Sequence, residues 1–411
     1  MKKFFYLLLS ISIATEAAAQ CENDRYREFI FNEFTVTSDL VYGGNINLDG
    51  ESEALLLDVY RPTGDTETNR ALVVLCHGGY FIAGDKTGPD MVPLCQDLAR
   101  MGYVVASINY RKGIPFAFDL EVPYGQAVVR AVQDLKAAIR WFRKSAAEEN
   151  NPYGIDPEEI YTGGSSAGGF MALHHAYMDE ADVPSWLDMS IEGLEGGLEG
   201  QSGNEGYSSE VKAIISVSGA LGNSNWIDEN DDTPACLFHG DEDDVITIDS
   251  GLFVLFNTIE VTTVEGSNYI NERLDFYGVE HCYEINEGLG HVAYTDNAAV
   301  YDTTLSIISN FLSHMICGVE LDCSYRQLAT GVEEKEIVSN VLYPNPAKDK
   351  CYLTNKQIQY DHVRFMDTQG RFVAEAVVRE DYISLDALAP GMYMVELTGS
   401  GRSAYTKLVV E

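Results

Sequence analysis

Basic residues are scarce in this sequence. Its 411 residues include 27 Lys and Arg against 64 Asp and Glu, which gives a formal net charge of −37 at pH 7. Nucleic acids and anionic membrane surfaces are bound through clustered Lys and Arg side chains, so the composition argues against both as partners. The acidity is typical of a well-hydrated surface, and attraction of a cationic substrate is the alternative interpretation.

Long apolar runs and metal-binding motifs are also missing. Beyond the N-terminus, no segment reaches the roughly 18 apolar residues that a membrane-spanning helix needs, which argues against stable membrane insertion. The sequence has no Cys-x-x-Cys pair and no compact Cys/His cluster, so we expect no metal site.

The N-terminus has the three parts of a cleaved secretory signal. Lys2-Lys3 form a charged start, residues 4–13 an apolar core too short to span a bilayer, and Ala17-Ala18-Ala19 a small-residue cleavage region. We therefore predict a signal peptide over residues 1–19 and a secreted or cell-surface protein.

The eight cysteines can form disulfides in an exported protein. The best candidates are Cys21, at the predicted mature N-terminus, and Cys317 and Cys323, near a predicted domain edge. Cys76 and Cys236 lie inside strand-like apolar runs, and we expect them to be small buried residues.

Two patterns divide the rest of the chain. Strand-like runs alternate with helical patterns as far as residue 317, which predicts an α/β domain over residues 20–317 with a mostly parallel sheet and helices on both faces. Within it, the acidic, Gly- and Ser-rich residues 179–210 are expected to form an exposed insertion, with a mobile lid as the alternative. Residues 318–340 are polar and acidic and indicate a linker. Residues 341–411 have short strand-like runs and Gly/Pro turns, which predicts a small, sandwich-like all-β domain.

A Gly-x-Ser-x-Gly pattern is formed by Gly164, Ser166 and Gly168, between an apolar run and a helical one. A strand-to-helix turn of this kind presents a serine hydroxyl at its tip, and glycines flank it because larger side chains would collide across the turn. The pattern by itself is short enough to arise by chance in a Gly/Ser-rich loop. Ser165 is the local rival, but the glycine spacing favours Ser166 as the nucleophile.

A nucleophilic serine needs a base, an acid that orients the base, and donors for the oxyanion. His291 is the preferred base because it follows the last predicted strand of the α/β domain in a Gly-x-Gly-His loop. Asp243, in an acidic loop after an earlier strand, is the preferred acid, with Asp241 and Asp244 as fallbacks. The histidines that compete with His291 are His174, His175, His239, His281 and His314.

Donors for the oxyanion are expected from two loops. The segment 77–80 (HGGY) follows a buried strand, and its glycines allow the backbone to approach a substrate oxygen closely. The predicted donors are the backbone N–H groups of Gly78, Gly79 and Tyr80, together with that of Ala167 directly after the nucleophile. The two glycines could also form a plain turn, but they lie at the sheet edge where such folds place their chemistry.

Residues from about 50 to 315 resemble the α/β-hydrolase superfamily, in particular esterases of its hormone-sensitive-lipase-like and carboxylesterase-like branches. Residues 77–81 (HGGYF) look like their His-Gly-Gly-Gly oxyanion motif, with Tyr80 in place of the third glycine. The order Ser166, Asp243, His291 matches that of the superfamily. The resemblance implies an α/β-hydrolase fold and a Ser-His-Asp mechanism that requires no cofactor.

Residues 341–411 resemble the C-terminal sorting domain of proteins exported by the type IX secretion system. The likeness rests on the segments 343–346 (YPNP), 367–371 (D-x-QGR) and 388–393 (LAPGMY). It implies type IX secretion machinery as a partner, export across both membranes of a Gram-negative bacterium, and removal of this domain outside. A carbohydrate-binding or adhesion module is the alternative.

These features together predict a secreted serine hydrolase that cleaves carboxylic esters of small molecules or polysaccharides through an acyl-enzyme. Two alternatives remain open: a peptidase or amidase with the same triad, and a non-catalytic binding protein on a hydrolase scaffold. The motifs leave the acyl chain and the alcohol open, because the turn around the serine determines the chemistry and not the substrate.

Overall fold

A computed structural model describes residues 21–115, 117–256, 258–328, 342–353, 360, 362–366, 372–378, 382–399 and 402–411. The chain divides into two compact units, Met1–Gly331 and Val332–Glu411. Three predictions fall outside the described residues: the signal peptide (1–19), the second part of the linker (329–340) and the segment 367–371.

The first unit is built on one large sheet. Its described strands are β1 (Phe34–Ile46), β2 (Ser52–Pro62), β3 (Arg70–Cys76), β4 (Val104–Ile108), β5 (Ile155–Ser165), β6 (Ile214–Val217), β7 (Ala235–Gly240), β8 (Ser250–Leu255), β9 (Ile259–Glu265) and β10 (His281–Asn286). Eight of them form the sheet in the order β1-β2-β4-β3-β5-β6-β7-β10. β1–β2 and β2–β4 pair antiparallel, and every pair from β4 to β10 is parallel. The predicted mostly parallel sheet is confirmed.

Helices cover both faces of this sheet. They are α1 (Val92–Arg100), α2 (Glu121–Glu148), α3 (Ala167–Tyr177), α4 (Ser267–Tyr277) and α5 (Ala298–Cys317), with short 3₁₀ helices at Glu22–Asp24, Ser224–Trp226 and Ala293–Thr295. Along β3, Leu72 and Val74 share a core with α2 and α3, whereas Val73 and Leu75 share a core with α1 and α5. This alternation is expected of a strand that is buried on both faces. None of the described helices is long and apolar enough to cross a membrane.

The strand order brings the predicted site residues to one edge of the sheet. β3, β5, β7 and β10 run parallel, so the loops that follow them emerge on the same side. These loops carry the segment 77–80, Ser166, Asp243 and His291, respectively.

Strands β8 and β9 form a separate two-stranded hairpin between β7 and α4. Phe253 of this hairpin is buried against Tyr124 and Phe170, with ring centroids 5.0 and 6.4 Å apart. The same side chain contacts the predicted oxyanion loop, because the Tyr80 ring stacks on Phe253 at 6.2 Å. The hairpin therefore joins the core of the first unit to the loop of Tyr80.

The expectation that residues 179–210 form an exposed insertion holds for about half of the segment and is wrong for the rest. Leu194 and Ser202 are fully buried. The buried Arg111 guanidinium donates to the Gly193 carbonyl and to the Ser202 hydroxyl. These contacts hold the segment against the body of the first unit, which argues against a mobile lid.

Replacing Arg111 with Ala is expected to destabilise the first unit by about 3–5 kcal/mol, because the change leaves a buried carboxylate without its cation. The carboxylate is that of Asp134, 2.7 Å from Arg111, and neither side chain is accessible to solvent. Chemical unfolding would measure the loss, and limited proteolysis would report loosening of residues 179–210.

Lys136→Ala is the matched control for Arg111→Ala. It breaks an ion pair with Glu199 in the same segment, but the Glu199 side chain is 53 % exposed, so we expect a cost below about 1 kcal/mol. Equal destabilisation by the two variants would contradict the role assigned to Arg111.

Two disulfides join Cys21 to Cys317 and Cys282 to Cys323. The three cysteines that the sequence indicated as disulfide candidates are therefore all paired. Cys282 was not among them, because its position inside a strand resembles that of the buried free cysteines. The cysteines that are free and buried are Cys76, Cys95, Cys236 and Cys351.

The first residues of the predicted linker belong to the first unit. Cys323 is bonded to β10 through its disulfide. Arg326 donates to the Asn310 side chain at 3.0 Å and to the Arg27 carbonyl at 2.8 Å. Residues 318–328 are therefore attached to the α/β unit in the structure.

The described part of the second unit contains strands and no helix, as predicted. Its strands are β11 (Leu342–Tyr343), β12 (Lys350–Leu353), β13 (His362–Met366), β14 (Phe372–Val377), β15 (Tyr382–Ser384), β16 (Gly391–Gly399) and β17 (Arg402–Val410). They form two antiparallel sheets, in the orders β11-β12-β15 and β14-β13-β16-β17. Asn345 connects the segment 343–346 to β17, because it donates to the Lys407 carbonyl and accepts from the Val409 N–H.

Candidate active site

Ser166 lies at a sharp turn between β5 and α3. Its backbone has φ 51° and ψ −117°, a conformation that is rare for a residue with a Cβ atom. The neighbouring glycines allow the turn. A Cβ on Gly164 would lie 2.3 Å from the Cys76 carbonyl oxygen, and a Cβ on Gly168 would lie 2.0 Å from the same atom. The serine N–H donates to the Val217 carbonyl at 2.8 Å, which holds the turn at the end of the sheet.

His291 contacts Ser166 and Asp243 through its two ring nitrogens. Nε2 lies 2.8 Å from Ser166 Oγ, and Nδ1 lies 2.7 Å from Asp243 Oδ2. An ionised carboxylate can only accept a hydrogen bond, so Nδ1 carries the proton and donates to Asp243. The lone pair of Nε2 is then free to accept the proton of the Ser166 hydroxyl.

The Asp243 carboxylate is held in place and in the ionised state by the loop after β7. Burial by itself would raise its pKa, but hydrogen bonds from His239, His291 and the Ile246 N–H hold the pKa well below the ordinary value. Oδ1 accepts from the N–H groups of Val245 and Ile246 at 2.9 and 2.8 Å. The Asp243 side chain is fully buried, whereas that of His291 is 18 % exposed. The arrangement places a fixed negative charge behind an imidazole that solvent and substrate can reach.

The predicted oxyanion loop lies against the Ser166 turn. A Cβ on Gly78 would be 3.2 Å from Ser166 Cβ. Gly79 and Tyr80 both have positive φ, 124° and 57°, and their N–H groups donate to none of the described residues. Ala167 opens α3, so its N–H has no acceptor within the helix. Three donors are thus available beside the serine.

The structure removes Gly78 from the predicted set of oxyanion donors. Its N–H donates to Asp90 Oδ2 at 2.7 Å, so this group is already occupied and cannot bind an oxyanion without breaking that bond. The remaining candidates are the N–H groups of Gly79, Tyr80 and Ala167.

Two side chains support the oxyanion loop: that of His77, the first residue of the predicted loop, and that of Asp90, which sequence reasoning did not assign to the site. His77 is completely buried, its Nδ1 lies 2.7 Å from the Gly78 carbonyl, and its ring stacks on Tyr110 at 4.4 Å. Burial lowers the pKa of His77, so the imidazole is neutral. Asp90 accepts from Gly78 and also from the Ser165 hydroxyl at 2.7 Å. No motif marks Asp90, because its partners are 12 and 75 residues away.

The fallback residues occupy other positions. Asp241 accepts from the Gly288 N–H at 2.5 Å, and Asp244 is exposed. The Ser165 hydroxyl donates to Asp90 and not to a histidine, so it lacks the base that a nucleophile needs. Within the described structure, Ser166 makes no hydrogen bond with any of the competing histidines, His174, His175, His239, His281 and His314. The described side chains include no group of three or more His, Cys, Asp or Glu residues arranged to hold a metal ion.

A cavity of about 450 Å³ lies along α3, and the residues that line it do not include Ser166, Asp243 or His291. Phe170 lines it, and the Phe170 N–H donates to the Ser166 carbonyl at 2.9 Å. Burial lowers the pKa of His174 to about 4, so this lining residue is neutral. The charged side chains that line the cavity are those of Glu121 and Asp182, and its lining includes no Lys or Arg. The aromatic side chains of the wall are Tyr124, Phe170, Trp186 and Trp226.

Two protein families match separate parts of the sequence. Residues 57–228 match the BD-FAE family, and residues 341–411 match the family of secretion system C-terminal sorting domains. The first match includes the oxyanion loop and the Ser166 turn. The resemblances to an esterase-type α/β-hydrolase and to a secretion sorting domain are thereby confirmed.

Individual proteins match either a short part of this chain or a longer part at low sequence identity. Esterase-5A of Drosophila pseudoobscura pseudoobscura is 29% identical over 182 residues, which are 42% of this chain and 30% of that protein. Arylacetamide deacetylase of Oryctolagus cuniculus is 30% identical over 116 residues, which are 28% of this chain and 26% of that protein. The match thus spans less than a third of either relative. A solved esterase from Thermogutta terrifontis with bound propionate is 22% identical with a TM-score of 0.49, and covers 69% of this chain and 95% of that one.

Proposed function

We propose that this chain, an α/β-hydrolase domain followed by a secretion sorting domain, is a secreted serine hydrolase that cleaves carboxylic esters. The observation that carries the proposal is the chain of short contacts from Ser166 through His291 to the buried Asp243. A serine with an imidazole on one side and free N–H donors on the other has the parts needed for acyl transfer.

In the proposed reaction, Ser166 Oγ attacks the ester carbonyl carbon while His291 Nε2 takes its proton. Asp243 stabilises the imidazolium that forms. The negative oxygen of the tetrahedral intermediate accepts hydrogen bonds from the N–H groups of Gly79, Tyr80 and Ala167. His291 then returns the proton to the alcohol oxygen as the C–O bond breaks, and the acyl group remains on Ser166.

Deacylation repeats these steps with water. His291 takes a proton from a water molecule, whose oxygen attacks the acyl carbon and forms a second tetrahedral intermediate at the same donors. Collapse of this intermediate breaks the bond to Ser166 Oγ, which recovers its proton from His291. The carboxylic acid leaves, and no cofactor takes part in the cycle.

The cavity along α3, whose wall includes Phe170 but not Ser166, is suited to an uncharged substrate group. Its wall is mainly aromatic and aliphatic, and its two carboxylates repel anions. We therefore propose esters whose acyl or alcohol part is neutral, either as small molecules or attached to a polysaccharide.

An amidase or peptidase is the second candidate, since the same triad serves amides and one relative carries the name arylacetamide deacetylase. Esters are favoured because alkoxides leave more readily than amide nitrogens and because other relatives are named esterases. A non-catalytic binding protein would have no need for the contact between His291 and Ser166.

We propose that the chain has four parts with different roles in export and catalysis, and that the first and the last are removed. Residues 1–19 act as the signal peptide, residues 20–317 as the catalytic domain, residues 318–340 as a linker and residues 341–411 as the sorting domain. The family match over residues 341–411 supports recognition by type IX secretion machinery. Mass spectrometry of the protein released by its native host would give both cleavage sites, and retention of residues 341–411 would contradict removal of the sorting domain.

Assays of the purified full chain test the proposed activity. We expect turnover of nitrophenyl acetate and covalent labelling by a fluorophosphonate probe. Nitrophenyl esters of increasing chain length, a matched nitroanilide, and acetylated and feruloylated glycans would define the acyl group, the alcohol and the preference for ester over amide. Labelling without turnover of any ester, but with turnover of the nitroanilide, would favour the amidase. Absence of both labelling and turnover would favour the binding protein.

A further inference from the structure

Asp90 lies where three loops of the candidate active site meet. One carboxylate oxygen, Oδ2, accepts from the Gly78 N–H in the oxyanion loop and from the Ser165 hydroxyl in the serine turn, each at 2.7 Å. The Asp90 carbonyl accepts from the hydroxyl of Tyr294, three residues beyond His291. A residue outside every recognised motif therefore connects the loops of the oxyanion donors, the nucleophile and the base.

The oxyanion loop needs such an anchor because its backbone is strained. Gly79 and Tyr80 follow Gly78 with positive φ, which is unfavourable for a tyrosine. Donors for an oxyanion are effective only when they are held within about 0.5 Å of the productive position. The bond from Gly78 fixes the peptide directly before the two proposed donors.

The geometry favours positioning over direct contact with substrate. The Gly78 N–H and the Ser165 hydroxyl bind the same oxygen of Asp90. The spacing between the oxyanion loop and the serine turn therefore depends on a single atom. A hydrogen bond to an ionised carboxylate is stronger than one between neutral groups. A carboxylate that faced the oxyanion itself would repel it, so a contribution to catalysis must pass through Gly78 and Ser165.

We propose that Asp90 is the positioning residue that holds the N–H groups of Gly79 and Tyr80 at the distance from Ser166 that the oxyanion requires. This inference rests on the proposed ester hydrolase function. It predicts that Asp90 contributes to the stabilisation of the tetrahedral intermediate and contributes much less to the binding of the ester.

The test compares Asp90→Ala and Asp90→Asn with the wild-type full chain. The measurements are kcat and KM for nitrophenyl acetate, and the inhibition constant of an aryl trifluoromethyl ketone. This ketone forms a hemiketal with an active serine and leaves a negative oxygen at the oxyanion donors, so it reports their alignment directly. Wild-type turnover and ketone inhibition are measured first. Their absence would refute the proposed function itself, and with it this inference.

For Asp90→Ala we expect kcat to fall by about 10–100-fold, KM to change by less than about threefold, and ketone affinity to fall in parallel with kcat/KM. For Asp90→Asn we expect a smaller loss of about two- to tenfold, because the amide oxygen can still accept from Gly78 and Ser165 but forms weaker hydrogen bonds than the carboxylate. The matched control is Asp85→Ala in the same loop, whose carboxylate accepts from the Thr87 N–H and hydroxyl. It removes the same charge and should leave kcat and ketone affinity within about twofold of wild type.

With an active wild type, two results would overturn the inference. One is a loss of turnover in Asp90→Ala with unchanged ketone affinity, which would place the defect outside the oxyanion donors. The other is wild-type kcat and ketone affinity in the variant. If Asp90→Ala does not fold, Asp90→Asn decides the question: a parallel decrease of kcat and ketone affinity supports the inference, and no decrease in either refutes it.

Discussion

A Ser166→Ala variant is expected to lose ester hydrolysis, with kcat lowered by at least about 10⁴-fold, because His291 is left without an oxygen nucleophile to activate. The fold should survive, since the Ser166 side chain does not cap α3 and alanine needs no extra space. Turnover of nitrophenyl acetate and fluorophosphonate labelling should disappear together, while the unfolding midpoint stays close to that of the wild type.

Ser165→Ala is the matched control for this experiment. The two serines are adjacent, but the Ser165 hydroxyl donates to Asp90, not to His291. We expect labelling to persist in this variant and kcat to fall by less than about fivefold, through the weakened contact with Asp90. Retained turnover in pure Ser166→Ala protein, or loss of labelling only in Ser165→Ala, would contradict the assignment of the nucleophile.

An Asp243→Asn variant is expected to lower kcat by about 10³–10⁴-fold at neutral pH, with little change in KM. The amide NH₂ would donate to His291 Nδ1, which moves the ring proton to Nε2. The imidazole would then present an N–H to Ser166 in place of a lone pair, and it could not accept the hydroxyl proton. Steady-state kinetics measures the loss, and NMR of the ring protons of His291 would report the change of tautomer.

Asp241→Asn and Asp244→Asn serve as the controls for Asp243→Asn, because they remove the same charge from the same loop. Asp241 contacts the Gly288 N–H and Asp244 is exposed, so both variants should retain kcat within about threefold of wild type. A larger loss in either variant than in Asp243→Asn would show that another carboxylate orients the base.

The positions of Ser166, Asp243 and His291 were predictable because each follows a strand of a parallel sheet, and parallel strands end at a common edge. The order of these short local patterns along the chain therefore implied that the three residues lie close together in the fold. The same reasoning failed for Gly78, which belongs to the right loop but donates to Asp90. A pattern of glycines predicts an accessible backbone and does not reveal which of its N–H groups already has a partner.

Residues 179–210 show a second limit of local patterns. Their acidic, Gly-rich composition is typical of a hydrated loop, yet Arg111 and Gln133 supply buried donors for the carbonyls of Gly193, Leu194 and Gly197. Composition describes the side chains of a segment, whereas its backbone can be buried by residues far away in the sequence. Cys282 is comparable, since its partner Cys323 lies 41 residues later.

By itself, the sequence determined the α/β class, the all-β second unit, the serine turn and the order of the candidate triad. Hydrophobic periodicity and turn chemistry act over a few residues, and the alternation of strands with helices implies parallel strands that end at one edge. Only the tertiary structure decided which N–H groups remain free for an oxyanion, which cysteines pair, and that Asp90 joins the three loops of the site. These features depend on single atoms brought within about 3 Å of each other by folding, and no local pattern encodes such a distance.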